Sequence, residues 1–362
     1  FIEQDLKEAA EVLPWSTGED IRSNSSFRMS RGAALGLLGK VYCQWAGYPL
    51  RDNSKWENAA EVLSEVIGSG YHSLLPDYET FWSNMAKGVW APQESLIEIS
   101  FYDATSTSNY APTGRIGKAN GVVTNVIPGV RGSNQALFNV TFSFVQDFYS
   151  QQDPRYGLSI ADYYYSGESK LKRSKYPIEQ YSKDTKNWIN LANNKFDWVK
   201  YLDRSAYFVN NYSSCTNWPF MRYSDVLLLY AEAVNEAKGA PTQAAFEAIN
   251  MVRRRGHGLD VSTADATVDV PSSYGYNEFQ QAVRDERKWE LCFEGHRKMD
   301  LVRWGTYYDV IKDTKTRLVS LLGSRGYYSI ADYTVKDKHE LLPIPQRDLD
   351  LLPNLRQNPN WE

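Results

Sequence analysis

Cysteine is scarce in this chain: Cys43, Cys215 and Cys292 are an odd number with no metal-like spacing, so the sequence encodes neither a disulfide framework nor a zinc cluster. Each stands among apolar or aromatic neighbours and reads as a small buried hydrophobe. Histidine is nearly as rare, and His72, His257 and His339 are too isolated to form a metal site or a catalytic triad. Charge of one sign is also lacking. Forty basic against 44 acidic residues leave a net charge of -4, which offers no long-range attraction for phosphates and excludes nucleic acid as the expected partner. The one basic run, Arg253 to Arg255, falls at the end of an expected helix, where it complements the helix dipole. No apolar run reaches the roughly eighteen residues that span a bilayer. There is no Gly-x-Ser-x-Gly elbow, and Gly114, Gly117 and Gly121 have the spacing of neither a dinucleotide loop nor a P-loop.

What is present is ordinary globular composition with one excess. Aromatic residues make up 14% of the chain, including 25 Tyr and 11 Trp, a content suited to a core of many irregular loops or to a recognition surface. No stretch of linker composition divides the 362 residues, so one large domain over 1–362 is expected. Leu35, Leu38, Tyr42 and Trp45 share one helical face after Ser30, with Ala34, Gly36 and Gly39 permitting close helix contact. Trp56, Ala60, Leu63 and Ile67 then repeat the period. This hairpin, over about 30–68, recurs at about 224–255 across the break Lys238 to Pro241, and a third pair is expected at about 278–322. A lone hairpin cannot bury its apolar face, so the three should stack. Residues 71–217 then form a loop-rich insert with short strands such as Ser95 to Phe101 and one helix near Leu137 to Gln151.

Four landmarks stand out in order: Arg28-Met29-Ser30-Arg31-Gly32-Ala33-Ala34; Trp218-Pro219-Phe220-Met221-Arg222-Tyr223 running into a helix; Glu290 to Gly305; and Leu341-Leu342-Pro343-Ile344-Pro345 followed by Asn354 to Pro359. In the third, large apolar groups alternate with Glu290, Glu294, Arg297, Asp300 and Arg303, which requires a packed corner held by ion pairs. Together these resemble the SusD/RagB family of outer-membrane nutrient-binding lipoproteins. The resemblance implies a mostly α fold, with tetratricopeptide-like hairpins in a right-handed superhelical scaffold. It also implies a cell-surface protein of a Gram-negative bacterium that binds a glycan and passes it to a SusC-like TonB-dependent outer-membrane transporter. No cofactor is implied. Family members begin with a lipoprotein signal and a lipid-anchored cysteine, absent from this chain, which accordingly reads as N-terminally shortened.

Candidate site residues follow from the aromatic and amide-rich content of the insert. Flat rings pack on the apolar faces of sugars while amides and cations bond hydroxyls, and Trp90, Tyr110, Arg115, Asn120, Trp188, Trp198, Tyr201 and Asn211 offer that combination. Trp56, Trp82, Trp218, Trp289 and Trp304 belong to apolar faces and should be core. Glu290, Glu294 and His296 suggest a metal set, but the second Glu-x-x-His helix of a di-iron bundle is missing, so these carboxylates are expected to pair with Arg287, Arg297 or Arg303. No catalytic residue stands out and a non-enzymatic role is expected. A peptide ligand within the same family and a glycan hydrolase with two inward carboxylates are the alternatives.

Overall fold

The computed structural model describes residues 1–15, 28–87, 89–99, 101, 122, 140–161, 163–166, 169–172, 192–193, 195, 217–323, 326 and 328–361. Those residues are mostly helical, built on tetratricopeptide-like hairpins. The first hairpin pairs α2 (Arg31–Ala46) with α3 (Lys55–Gly68), and α1 (Ile2–Val12) packs against α2. Ser30 starts α2 by accepting the Ala33 N–H at 3.2 Å. Gly39 sets the depth of the crossing, since a Cβ there would lie 2.4 Å from Leu63 Cγ. In α3 the deepest residues are Trp56, Ala59, Leu63 and Val66, one position earlier than expected in two cases, with Ala60 and Ile67 half-buried beside them. A stripe about 100° wide or more admits both sets.

After the segment 71–217, β6 (Trp218–Arg222) leads into α7 (Tyr223–Lys238), which Gly239 closes at φ +67°. Thr242 caps α8 (Gln243–Gly256) through the Ala245 N–H at 3.3 Å. α7 is the central helix. It packs against α3, α8 and α9 (Tyr276–Glu290), so hairpins far apart in sequence share one apolar cluster that includes Leu38, Leu63, Leu228, Ile249 and Val283. Stacking of this kind buries the faces a single pair would leave wet.

Within 71–217, α4 (Tyr78–Lys87) is followed by β1 (Ser95–Ile99), which pairs antiparallel with β6, Ser95 opposite Arg222 and Ile99 opposite Trp218. The excursion is thus zipped at both ends to the scaffold. Helices α5 (Phe142–Ser150) and α6 (Arg155–Ser159) then return to it, with β2 (Ile160–Ala161), β3 (Tyr163–Ser166), β4 (Ser169–Lys172) and β5 (Ala192–Asn193) in two short antiparallel pairs, β2 with β5 and β3 with β4. Phe148 stacks on Trp289 at 4.9 Å, and both pack with Leu318 and Leu322 of α11 (Tyr307–Leu322). A short α10 (Arg297–Arg303) precedes α11; α12 (Ser329–Tyr333) and α13 (Gln346–Leu351) follow. Near the end, the Gln357 side chain accepts the Ile344 N–H at 2.8 Å and donates to its carbonyl at 2.9 Å. Flanked by Pro343 and Pro345, Ile344 thereby gains a side-chain partner where no strand supplies one.

Trp56, Trp82 and Trp289 are buried, as expected, while Trp218 and Trp304 are half-buried. Cys43 and Cys292 are buried free thiols, burial pushing Cys43 up to about 12; Cys215 lies outside the described residues.

Candidate ligand-binding site

The insert is moored to the scaffold by an ionic centre beneath α4. Arg222, where β6 becomes α7, grips Glu294 with Nε and Nη2 at 2.7 and 2.8 Å, and its Nη1 reaches Glu94 and Glu290, both at 2.9 Å. Arg255, in the last turn of α8, donates to Glu94 at 2.9 Å and to Glu290 at 2.6 Å. Arg155 reaches Glu286 at 2.6 Å, Glu290 at 3.0 Å and Asp153 at 2.6 Å. Lys195 donates to Glu294 at 3.0 Å and to the Glu290 carbonyl at 2.8 Å. Arg253 reaches Glu286 at 3.2 Å. Five carboxylates (Glu94, Asp153, Glu286, Glu290, Glu294) thus meet five cations (Arg155, Lys195, Arg222, Arg253, Arg255), the balance a dry site demands.

Burial alone would raise the Glu290 carboxyl, but Arg255, Arg222 and Arg155 outweigh it and hold it well below the usual range. Glu294 is lowered in the same way, burial being overcome by Arg222 and Lys195. Over this centre, α4 lays a roof of rings. Phe81 and Trp82 lie 4.9 and 5.5 Å from Arg222, Tyr78 lies 5.3 Å from Arg255, and the Lys195 ammonium is 4.7 Å from Trp82 and 5.2 Å from Tyr78.

The pairing differs from the one expected along the Glu290–Gly305 corner. Glu290 and Glu294 do not engage Arg287, Arg297 or Arg303. Arg287 binds Asp225 at 2.7 Å and Asp300 at 2.9 Å, and Arg303 binds Asp300 and Glu232. Arg297 lies over Trp304 at 5.4 Å. The bend at Phe293, φ +66°, and Gly295, φ +83°, separates the two sets of partners. His296 accepts at Nδ1 from the Lys40 ammonium, 2.9 Å away, since an ammonium only donates. Among the described residues no cluster of His, Cys, Asp and Glu is arranged to hold a metal. Arg253 to Arg255 do sit in the last turn of α8, and each also has a carboxylate partner.

Of the expected ligand residues, Trp90 is half-buried beside Ala91, which joins the α4 apolar cluster. Tyr110, Arg115, Asn120, Trp188, Trp198, Tyr201 and Asn211 lie outside the described residues. Two features that periodicity did not single out are Lys195 and a cleft of about 640 Å³ on the outer face of α9, bordered by α5, α8 and the turn before α9. A signal for the cleft does exist in the sequence: Glu278, Gln281, Ala282 and Asp285 repeat at three- and four-residue spacing beside the buried stripe of Phe279, Val283 and Glu286. Among the described residues no helix is long and apolar enough to cross a membrane.

Comparison with known proteins supplies the remaining step. Residues 78–361 match the model of the SusD family. The crystal structure of a SusD homolog from Bacteroides thetaiotaomicron superposes with a TM-score of 0.92 at 46% identity, covering 99% of this chain and 69% of that one. SusD-like protein P25 of Formosa agariphila is 25% identical over 355 residues, 91% of this chain, and the chain spans 58% of that relative's length. Surface glycan-binding protein A from Bacteroides thetaiotaomicron, solved in complex with laminarihexaose, shares the fold with a TM-score of 0.64 at 19% identity, over 98% of this chain and 69% of that one. With a family match across most of its length, and with the same helical hairpins as its solved relatives, this chain belongs to the SusD family.

Proposed function

We propose that this protein is a non-catalytic, cell-surface glycan-binding protein that hands oligo- or polysaccharide to a SusC-like TonB-dependent outer-membrane transporter and is held to the membrane by an N-terminal lipid anchor. The observation that carries this reading is membership of the SusD family together with a fold shared with a surface glycan-binding protein that takes laminarihexaose. The chemistry agrees: the insert is rich in rings and amides, and it grows from a rigid mooring of charge-assisted hydrogen bonds. Trp90, Tyr110, Arg115, Asn120, Trp188, Trp198, Tyr201 and Asn211 are the proposed ligand residues. Affinity electrophoresis and calorimetry against a panel of polysaccharides test the reading. The parent should be retarded by at least one glycan, and Trp188→Ala with Trp198→Ala should weaken binding at least tenfold. Failure of every glycan together with binding of oligopeptides would replace the glycan by a peptide.

A further inference from the structure

The cleft on the outer face of α9 is lined by that helix, by α8 and by the turn before α9 on the scaffold side, and by α5 on the other. Its volume of about 640 Å³ falls inside the about 300–1,000 Å³ usual for small-ligand sites. Four elements meet there. α9 contributes the stripe of Glu278, Gln281 and Asp285, α5 contributes Asp147, α8 contributes Arg253, and the turn closed by the Tyr274 N–H to the Pro271 carbonyl at 3.0 Å presents Tyr274, 37% exposed.

The lining is amphipathic in the way a sugar requires. Ala282, Val270 and Pro271 give an apolar floor, and the Tyr274 ring stands at the rim. Around them are groups that hydroxyls can bond: Gln281, whose amide both donates and accepts and which donates to Asp285 at 3.0 Å, and the donor Lys288, which bonds Asp147 at 3.0 Å. The charges select further. Arg253 is matched by Glu286 and Lys288 by Asp147, whereas Glu278 and Asp285 make no ion pair among the described residues. The charged lining residues Asp147, Arg253, Glu278, Asp285 and Lys288 sum to -1, so no excess of positive charge awaits a sulfate or uronate. A second cleft of about 470 Å³ shares Ser150 with the first and carries Tyr149 and Tyr156, whose rings meet edge to face at 5.5 Å. A chain of sugars leaving the first cleft past Ser150 therefore meets more ring surface, which a monosaccharide would not use.

We infer that this groove is a second carbohydrate site, specific for neutral oligosaccharide chains and formed by other residues than the ligand residues proposed above. The inference rests on the glycan-binding reading above and adds its consequence: two sites on one molecule engage one polysaccharide, so avidity exceeds either site alone by as much as about 10²–10⁴-fold.

The test uses the exposed pair Tyr274→Ala with Gln281→Ala, which leaves the ionic centre beneath α4 and the apolar core intact. Laminarihexaose, maltohexaose, xylohexaose and hexagalacturonate serve as calorimetric probes, with the parent polysaccharides in affinity gels. The expected results are two molar equivalents of a neutral hexasaccharide on the parent and one on the groove variant. Polysaccharide affinity should fall at least tenfold in that variant, and the Trp188→Ala, Trp198→Ala protein should keep residual binding that the added groove substitutions abolish. A parent that binds one equivalent, with affinity and stoichiometry unchanged by the groove substitutions, overturns the second site and leaves the function standing. Stronger binding of hexagalacturonate through Tyr274 overturns the assignment to neutral chains. A parent that binds no glycan at all overturns the function itself and this site with it.

Discussion

In the hairpin stack, Leu38, Leu63, Leu228 and Ile249 are at most 1% exposed and carry no polar side-chain atom; beneath α4, Arg222, Arg255, Glu290 and Glu294 are at most 2% exposed and all are ionic. Both regions exclude water, by different physics. The stack gains from apolar area removed from water, a non-directional effect that tolerates exchange of one hydrocarbon for another. The ionic centre depends on direction and count: each guanidinium has specified oxygens, and deleting any one group strands its partners in a medium that cannot solvate them. The comparison teaches that the scaffold can accept drift in its hairpins while the mooring of the insert cannot.

The largest effect should come from Glu290→Ala, which takes one acceptor from Arg155, Arg222 and Arg255 together. Urea unfolding should show a loss of about 3–5 kcal/mol, the usual result of breaking a buried ion pair. A loss below about 1 kcal/mol would erase the distinction drawn between the two regions, because it would fall under a typical Leu→Ala in the stack.

The second prediction sharpens the comparison through pH. Burial lowers His296 to about 4, with Asp225 opposing and the Lys40 ammonium assisting, and Glu294 and Arg287 also facing the ring. Because the unfolded value is about 6.5, the unfolded chain takes up the proton first as pH falls. The contribution is complete above about pH 6.5 and is lost progressively toward pH 4, amounting to about 3 kcal/mol. His257, which burial also lowers, adds a change of the same sign. His296→Gln keeps an acceptor for Lys40 without titrating, so its unfolding midpoint should fall less than that of the parent between pH 7.5 and 5. Parallel declines would assign the pH dependence elsewhere. Below about pH 4 the depressed carboxylates Glu290, Glu294, Asp225 and Asp300 take over, since their stabilisation is present above the unfolded value and disappears as pH drops through the folded one.

The smallest effect probes the stack itself. Gly39→Ala places a methyl 2.4 Å from Leu63 Cγ, so thermal or urea unfolding should register a loss of about 1–3 kcal/mol from overpacking. Helix propensity taken alone gives the opposite sign, a gain of about 0.5–1 kcal/mol for replacing Gly inside a helix. Combining Gly39→Ala with Leu63→Ala should show favourable coupling, and simple additivity would place Gly39 outside the contact.

These differences track what was legible along the chain. The helical hairpins were, because Leu35, Leu38 and Tyr42, or Trp56 and Leu63, announce a period that each helix must satisfy by itself. The strand after Ser95 and the helix near Phe142 were legible for the same local reason. The corner at Glu290 was recognisable as ionic, yet its partners were not. Arg255 is 35 residues away from Glu290, Arg222 is 68 and Arg155 is 135. Nothing local distinguishes them from Arg287, Arg297 or Arg303, all equally charged and closer in sequence. In the candidate site, composition pointed to the rings and amides of the insert. The groove on α9 needed three other elements to close it before the stripe of Glu278, Gln281 and Asp285 meant more than a solvated helix face.

By itself the sequence determined the strongly periodic helices of the hairpins, that such pairs are obliged to stack, and that a polar corner must be neutralised from within the protein, whereas helices such as α1 and α4 were not foreseen. Only the tertiary structure decided which cation meets which carboxylate, that Lys195 is drawn under the rings of Tyr78 and Trp82, and that four elements enclose a groove on the scaffold. The reason is range. Backbone hydrogen bonding and apolar periodicity act within a few residues, whereas a buried charge finds its partner by proximity in space, and that proximity exists only after the hairpins have stacked.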